Sequence, residues 1–272
     1  MRKIQEYEGY VAFLDIIGFA GMIKSRPLSE VIQKIETGLF MSRLAGNLGE
    51  GMPNTSGMDL FDKKFDPLNF FSFSDTFVLS TRSLEIRYLF QILAGTAILS
   101  QYLISGGLPV RGAISKGELA KISGTDHLIG KGIINAAELE KQQEWFGIAV
   151  DPKLVDNEFI ELCKNPLLHP LAIRYDVPVK ETYNGEKVEW AINWRFNLWV
   201  NNGLKSLFPD PVSDRDVKLE NTMKFCKHVR SNSFHKGTLH DETGKEIVVG
   251  WKRGMWIGPY PPDDPRSVKL DE

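Results

Sequence analysis

The run Val11-Ala12-Phe13-Leu14-Asp15-Ile16-Ile17-Gly18-Phe19 decides the fold. It is short, aliphatic and aromatic, and it stops at a glycine, so residues 9–16 read as a buried strand with a single acid inside it. A second run has the same character: Phe70-Phe71-Ser72-Phe73-Ser74-Asp75-Thr76-Phe77-Val78-Leu79. Neither run contains a Lys or Arg. An ionised carboxylate in such surroundings is costly unless a cation or metal compensates it, and a shared divalent metal is the economical explanation of both. Asp15 and Asp75 are therefore the metal candidates, with the Ile16 carbonyl as a possible backbone ligand. The turn Ile17-Gly18-Phe19 offers N–H groups to phosphates at a helix start.

Outward from these runs the pattern alternates. Ser29 is placed to cap a helix bearing Val31, Ile32, Ile35, Leu39 and Phe40. Residues 45–67 are rich in Gly, Asn and Pro and read as a loop. Residues 68–80 read as two short strands folded back at Ser74-Asp75, and Ser83 is placed to cap a long helix that ends at Gly106-Gly107. A strand is expected over 108–115, then a hairpin around Gly117 to Gly124, a helix over 130–144 and a strand over 145–150. Two more strands, 171–179 and 187–194, flank the turn Asn184-Gly185. The order is βαββαβ, then αβ and a hairpin. It predicts an α/β sandwich, an α+β arrangement with a ferredoxin-like core and helices on one face of a mainly antiparallel sheet. Residues 1–195 form the expected catalytic domain. Residues 196–272 form a C-terminal extension with one helix at 219–229.

Composition narrows the setting. The chain has 272 residues, 42% apolar and 25% charged, with a net charge of -2. That balance gives no global pull toward nucleic acid or an anionic membrane. Cys163 and Cys226 make neither a metal-type spacing nor a disulfide framework. The N-terminus has no apolar signal region, and no stretch approaches the roughly 18 apolar residues of a membrane span. A cytoplasmic protein is expected.

Four segments resemble the class III nucleotidyl cyclases. Phe13-Leu14-Asp15-Ile16-Ile17-Gly18-Phe19 is similar to their first metal motif, and Ser74-Asp75 to their second, with Ser in place of the usual Gly. Val110-Arg111-Gly112-Ala113-Ile114-Ser115-Lys116-Gly117 is similar to their central strand and turn. Gly130-Lys131-Gly132-Ile133-Ile134-Asn135-Ala136-Ala137-Glu138-Leu139-Glu140 is similar to their dimerisation and catalytic helix. The resemblance spans about residues 9–195. It implies two Mg²⁺ or Mn²⁺ ions at Asp15, Ile16 and Asp75, a nucleoside triphosphate substrate, and a homodimer with active sites at the interface.

The departures are specific. The lysine that reads a purine in adenylate cyclases of this class stands four residues before the second metal aspartate; here that position is Phe71. The partner acid falls on His127, and the helix asparagine and arginine fall on Ile134 and Glu138, with Asn135 one place along as a substitute. Arg111 is the expected phosphate-facing cation, with Lys116 and Lys131 as further candidates, while Phe71 and His127 line the expected base pocket. A metal half without a purine-reading half resembles the stand-alone pyrimidine cyclases of bacterial Pycsar anti-phage systems. Those make cyclic UMP or cyclic CMP to switch on a separate effector. That resemblance implies UTP or CTP as substrate, of which UTP is slightly preferred, and the charge balance leaves neither nucleic acid nor membrane as an expected partner. A cyclase-like nucleotide-binding protein without turnover and a purine cyclase remain as alternatives.

Overall fold

The computed structural model describes residues 4–47, 68–122, 125, 127–164, 171–194, 217–232, 234–240, 245–252, 255–261 and 263. The predicted loop over 45–67 lies mostly outside them. The first strand, β1 (Ile4–Ile16), is longer than expected, and α1 (Phe19–Ser25) and α2 (Leu28–Asn47) follow it. Helix α2 starts one residue before Ser29, just after Pro27, so Ser29 lies inside the first turn and not at the cap. Next come β2 (Asn69–Phe73), β3 (Thr76–Ser80) and α3 (Ile86–Ser105). Glu85, not Ser83, occupies the N-cap of α3. Ser83 instead accepts a bond from the Glu85 N–H at 3.2 Å.

Strand β4 (Val110–Ile122) runs straight through Gly117 and pairs with β5 (Leu128–Gly130) only beyond it, from Leu119 to Lys121. Gly117 is a packing glycine: a Cβ there would lie 2.9 Å from the Gly132 nitrogen, so its absence lets α4 (Lys131–Gln142) press on the strand. The chain continues through β6 (Ile148–Val150), α5 (Asn157–Lys164), β7 (Ala172–Arg174) and β8 (Trp190–Ile192). After the segment that carries Phe196 and Trp199, the described residues resume with α6 (Val217–Asn232), β9 (Phe234–His240), β10 (Glu246–Lys252) and β11 (Met255–Tyr260). Strands β9 to β11 form a separate three-stranded sheet.

The main sheet is eight-stranded, ordered β2-β3-β1-β4-β6-β8-β7, with β5 beside β4. Every named pairing is antiparallel except β4 with β6. The fold is a mixed α/β sandwich, as expected, but helices cover both faces rather than one. Side chains alternate across a strand. Ala12, Leu14 and Ile16 of β1, with Phe77 and Leu79 of β3, join the buried residues of α3 in one core. The opposite face carries Val11, Phe13 and Asp15, and α4 lies on it, with Val11 Cγ2 3.1 Å from where a Gly132 Cβ would stand. Helix α3 is the one helix among the described residues long and apolar enough to cross a membrane, and most of it is buried in this core. Helix α6 adds Phe225, buried edge-on against Trp145 with ring centroids 4.8 Å apart.

Candidate functional site

Asp15 sits at the end of β1, directly opposite Thr76 of β3 on one side and Arg111 of β4 on the other. Asp75 occupies the two-residue β2–β3 turn, immediately before Thr76. The Ile16 N–H donates to the Asp75 carbonyl at 3.0 Å, which clasps the turn to the end of β1. Thr76 Oγ1 donates to Asp15 Oδ1 at 3.3 Å. The two acids that lie 60 positions apart in sequence therefore share one edge of one face.

The electrostatics there favour a cation. Burial is the first cause that raises the Asp15 carboxyl above the ordinary aspartate value; the negative charges of Asp75 and Glu140 add to it, against weaker opposition from Thr76 and Arg111. The donor set fits a hard divalent ion, which takes carboxylate and carbonyl oxygens. Among the described residues no group of three or more His, Cys, Asp or Glu is arranged to hold a metal, so remaining ligands would come from backbone carbonyls, water or substrate phosphates.

The flanking turn is less available than the sequence implied. The Ile17 N–H donates to the Pro109 carbonyl at 2.8 Å and is not free for a phosphate. Gly18 adopts φ 75° at the N-cap of α1, a left-handed conformation that suits glycine. The Gly18 and Phe19 N–H groups begin that helix and have no intrahelical acceptor, while the Phe19 side chain packs against the core.

Arg111 also departs from expectation. Its Nε donates to Glu140 Oε1 at 2.6 Å and its Nη1 to the Gln143 carbonyl at 3.1 Å, so it is held by α4 rather than open to a phosphate. The Glu140 side chain is only 4% exposed. Gln143 reinforces the anchor: its Nε2 donates to the Gly112 carbonyl at 2.7 Å, and its Oε1 accepts from the Trp145 indole at 2.7 Å.

The other predicted residues scatter. Lys116 has the wrong parity on β4: it shares the α3 side of the sheet with its cross-strand partner Tyr10, and pairs with Asp156 at 3.5 Å. Lys131 and His127 lie toward the far end of the β4–β5 hairpin, Lys131 in an exposed ion pair with Glu118 at 2.8 Å and His127 solvent-exposed. Asn135 lies roughly 140° round α4 from Glu140 at 3.6 residues per turn. It opens instead onto a cleft of about 780 Å³ with Glu138, Asp151, Lys153, Tyr183 and Glu186. Phe71 shares the Asp15 face, in the row Phe13–Val78–Phe71.

The residues that sequence reasoning missed are Glu140, Thr76, Lys121 and Asn69. Lys121 Nζ donates to Asn69 Oδ1 at 3.2 Å and stands 5.6 Å from the centre of the Phe71 ring. Strand parity would have found Lys121, because it shares the odd positions of β4 with Arg111.

No protein-family model and no curated protein matches the chain. Among solved structures the chain is similar to the catalytic core of a rhodopsin-guanylyl cyclase with converted specificity in complex with ATPαS, at 14% identity and a TM-score of 0.42, over 70% of this chain and 98% of that one. It is similar to a dimeric guanylyl cyclase domain of a fusion protein from the aquatic fungus Blastocladiella emersonii, at 11% identity and a TM-score of 0.44, over 69% of this chain and 96% of that one. It is also similar to a bacterial light-regulated adenylyl cyclase, at 13% identity and a TM-score of 0.44, over 75% of this chain and 57% of that one.

Proposed function

We propose that the protein is a metal-dependent nucleotidyl cyclase that converts a pyrimidine nucleoside triphosphate, UTP before CTP, into its 3′,5′-cyclic nucleotide and pyrophosphate. The observation that carries this reading is the clasp of Asp15 and Asp75 at one edge of the sheet, with Asp15 raised by burial and by its acidic neighbours. In the reaction the substrate 3′-oxygen bonds to the α-phosphorus, the bond from that phosphorus to the bridging oxygen breaks to release pyrophosphate, and the 3′-hydroxyl proton passes to solvent water. Asp15 and Asp75 would hold the divalent ions, which when bound would supply activation of that hydroxyl and neutralisation of the leaving pyrophosphate. Thr76 fixes one Asp15 oxygen for that role. Glu140 holds Arg111 beside them, so the cation tempers the local negative charge without closing on Asp15.

The resemblance further supports a homodimer with active sites at the interface, a cytoplasmic setting, and a second messenger for anti-phage defence that a separate effector reads. The aspartate positions carry none of these. A second reading, a cyclase-like binder without turnover, is favoured by one observation: Arg111, the cation opposite Asp15, is committed to Glu140 and to the Gln143 carbonyl. Incubation of the protein with each of the four ribonucleoside triphosphates and Mn²⁺ separates the readings. A cyclic pyrimidine as main product supports the proposal; a cyclic purine overturns the base assignment; a folded protein that binds nucleotide and forms no product establishes the second reading.

A further inference from the structure

Helix α6 lies outside the expected catalytic domain of residues 1–195, yet it grips the strap that holds Arg111. That strap, residues 143–146, leaves α4 and leads into β6. Thr222 of α6 is buried; its Oγ1 accepts from the Phe146 N–H at 2.8 Å and donates to the Lys218 carbonyl at 2.7 Å. Its neighbour Asn221 donates from Nδ2 to the Glu144 carbonyl at 2.9 Å. Two adjacent residues of α6 therefore hold the strap by its backbone. Tyr175 steadies the helix in turn: its hydroxyl donates to the Asn221 carbonyl at 3.4 Å, and its ring lies 5.0 Å from that of Phe225.

The strap's other contacts face the site. The Gln143 carbonyl accepts from Arg111 Nη1, and the Gln143 side chain, fully buried, joins the Gly112 carbonyl to the Trp145 indole N–H. Trp145 links the two sides, because its ring also meets Phe225 of α6 edge-on. Beyond it the Gly147 carbonyl accepts from the Gly112 N–H at 3.0 Å, so the strap is tied to β4 beside Arg111. A buried network in which each of these groups is paired favours one arrangement, since an orphaned member bears its full desolvation cost. Arg111 stands directly opposite Asp15 in the ladder, where side chains on one face are neighbours. A guanidinium released from the Gln143 carbonyl is then free to turn to the Asp15 carboxylate and compete there with a divalent ion. We propose that Thr222 and Asn221 are positioning residues: they lock the 143–146 strap and, through Gln143, keep Arg111 off Asp15.

This inference rests on the reading of Asp15 as a metal ligand and gives the C-terminal extension a part in it. Two N–H signals in ¹⁵N NMR spectra of the full chain test the clamp without turnover: the Trp145 indole and Arg111 Nε. Calorimetric titration with Mn²⁺ adds the consequence at Asp15. Thr222→Val keeps the side-chain shape and removes the acceptor; it should shift both signals and weaken Mn²⁺ roughly three- to tenfold, the range for a residue coupled through a packed network. Thr222→Ser keeps the acceptor and should restore both. Val31→Ala, a core truncation on α2, controls for lost stability and should move neither. Asn221→Ala should act in the same direction as Thr222→Val and serves if that variant does not fold. Signals and affinity that stay at wild-type values in folded Thr222→Val, or that move equally in Val31→Ala, overturn the assignment. If wild type binds no Mn²⁺, the metal reading fails by itself, and the two N–H signals decide the clamp.

Discussion

Arg111 stands opposite Asp15 in the β1–β4 ladder, yet its guanidinium bonds Glu140 at 2.6 Å and leaves Asp15 to Thr76. With side chains 12% and 4% exposed, this is a buried pair, and its loss is asymmetric. Removal of one partner strands a buried charge, whereas removal of both does not. Glu140→Ala should therefore cost about 3–5 kcal/mol in urea denaturation, while a double Arg111→Met, Glu140→Leu variant should recover most of it. A single variant within about 0.5 kcal/mol of wild type would show that the pair does not anchor α4.

The raised Asp15 carboxyl makes stability depend on pH in a stated direction. Between the ordinary aspartate value and the raised folded value, the native state binds more protons than the unfolded state, so metal-free stability falls as pH rises through that window. Asp15→Asn removes the penalty: it should raise the melting temperature at pH 7 in chelator and flatten the profile above the ordinary aspartate value. The effect is small because the residue is only half-buried. A variant less stable than wild type at pH 7 would contradict the assignment.

Metal should reverse that penalty. Millimolar Mn²⁺ should raise the wild-type melting temperature by selective binding to the native state, and Asp15→Ala should lose the shift. An equal shift in both proteins would place the ion elsewhere.

Ser74 adopts φ 58° in the two-residue turn before Asp75, a left-handed conformation costly for a residue with a Cβ. Only the first turn residue has positive φ, the position where type II′ hairpins take glycine. Ser74→Gly should stabilise the protein by about 0.5–1 kcal/mol, the strain relieved less the added chain entropy. Chemical denaturation measures it, and a loss of stability would show that the Ser74 side chain contributes something the backbone does not reveal.

The strand runs around Asp15 and Asp75 were legible because apolar alternation and Ser74-Asp75 punctuation are local signals. The α4 segment was legible as a helix for the same reason. What failed was long-range. Gly117 looked like a turn, but it is the point where α4 presses on β4, a fact of packing that one strand cannot display. Broken there, the strand hid the parity that sets Lys121 with Arg111 and Lys116 against them. Arg111 read as a free cation because its partner, Glu140, is 29 positions away on another element.

Asp15 and Asp75 together are proposed to make the catalytic centre. The direct measurement is pyrophosphate release and cyclic product from UTP with Mn²⁺, wild type against Asp75→Asn, with melting curves for both. Wild type should give stoichiometric cyclic UMP and pyrophosphate, and an Asp75→Asn protein that still folds should give neither. Equal turnover by the two proteins, or none by a folded wild type that binds UTP, would contradict it.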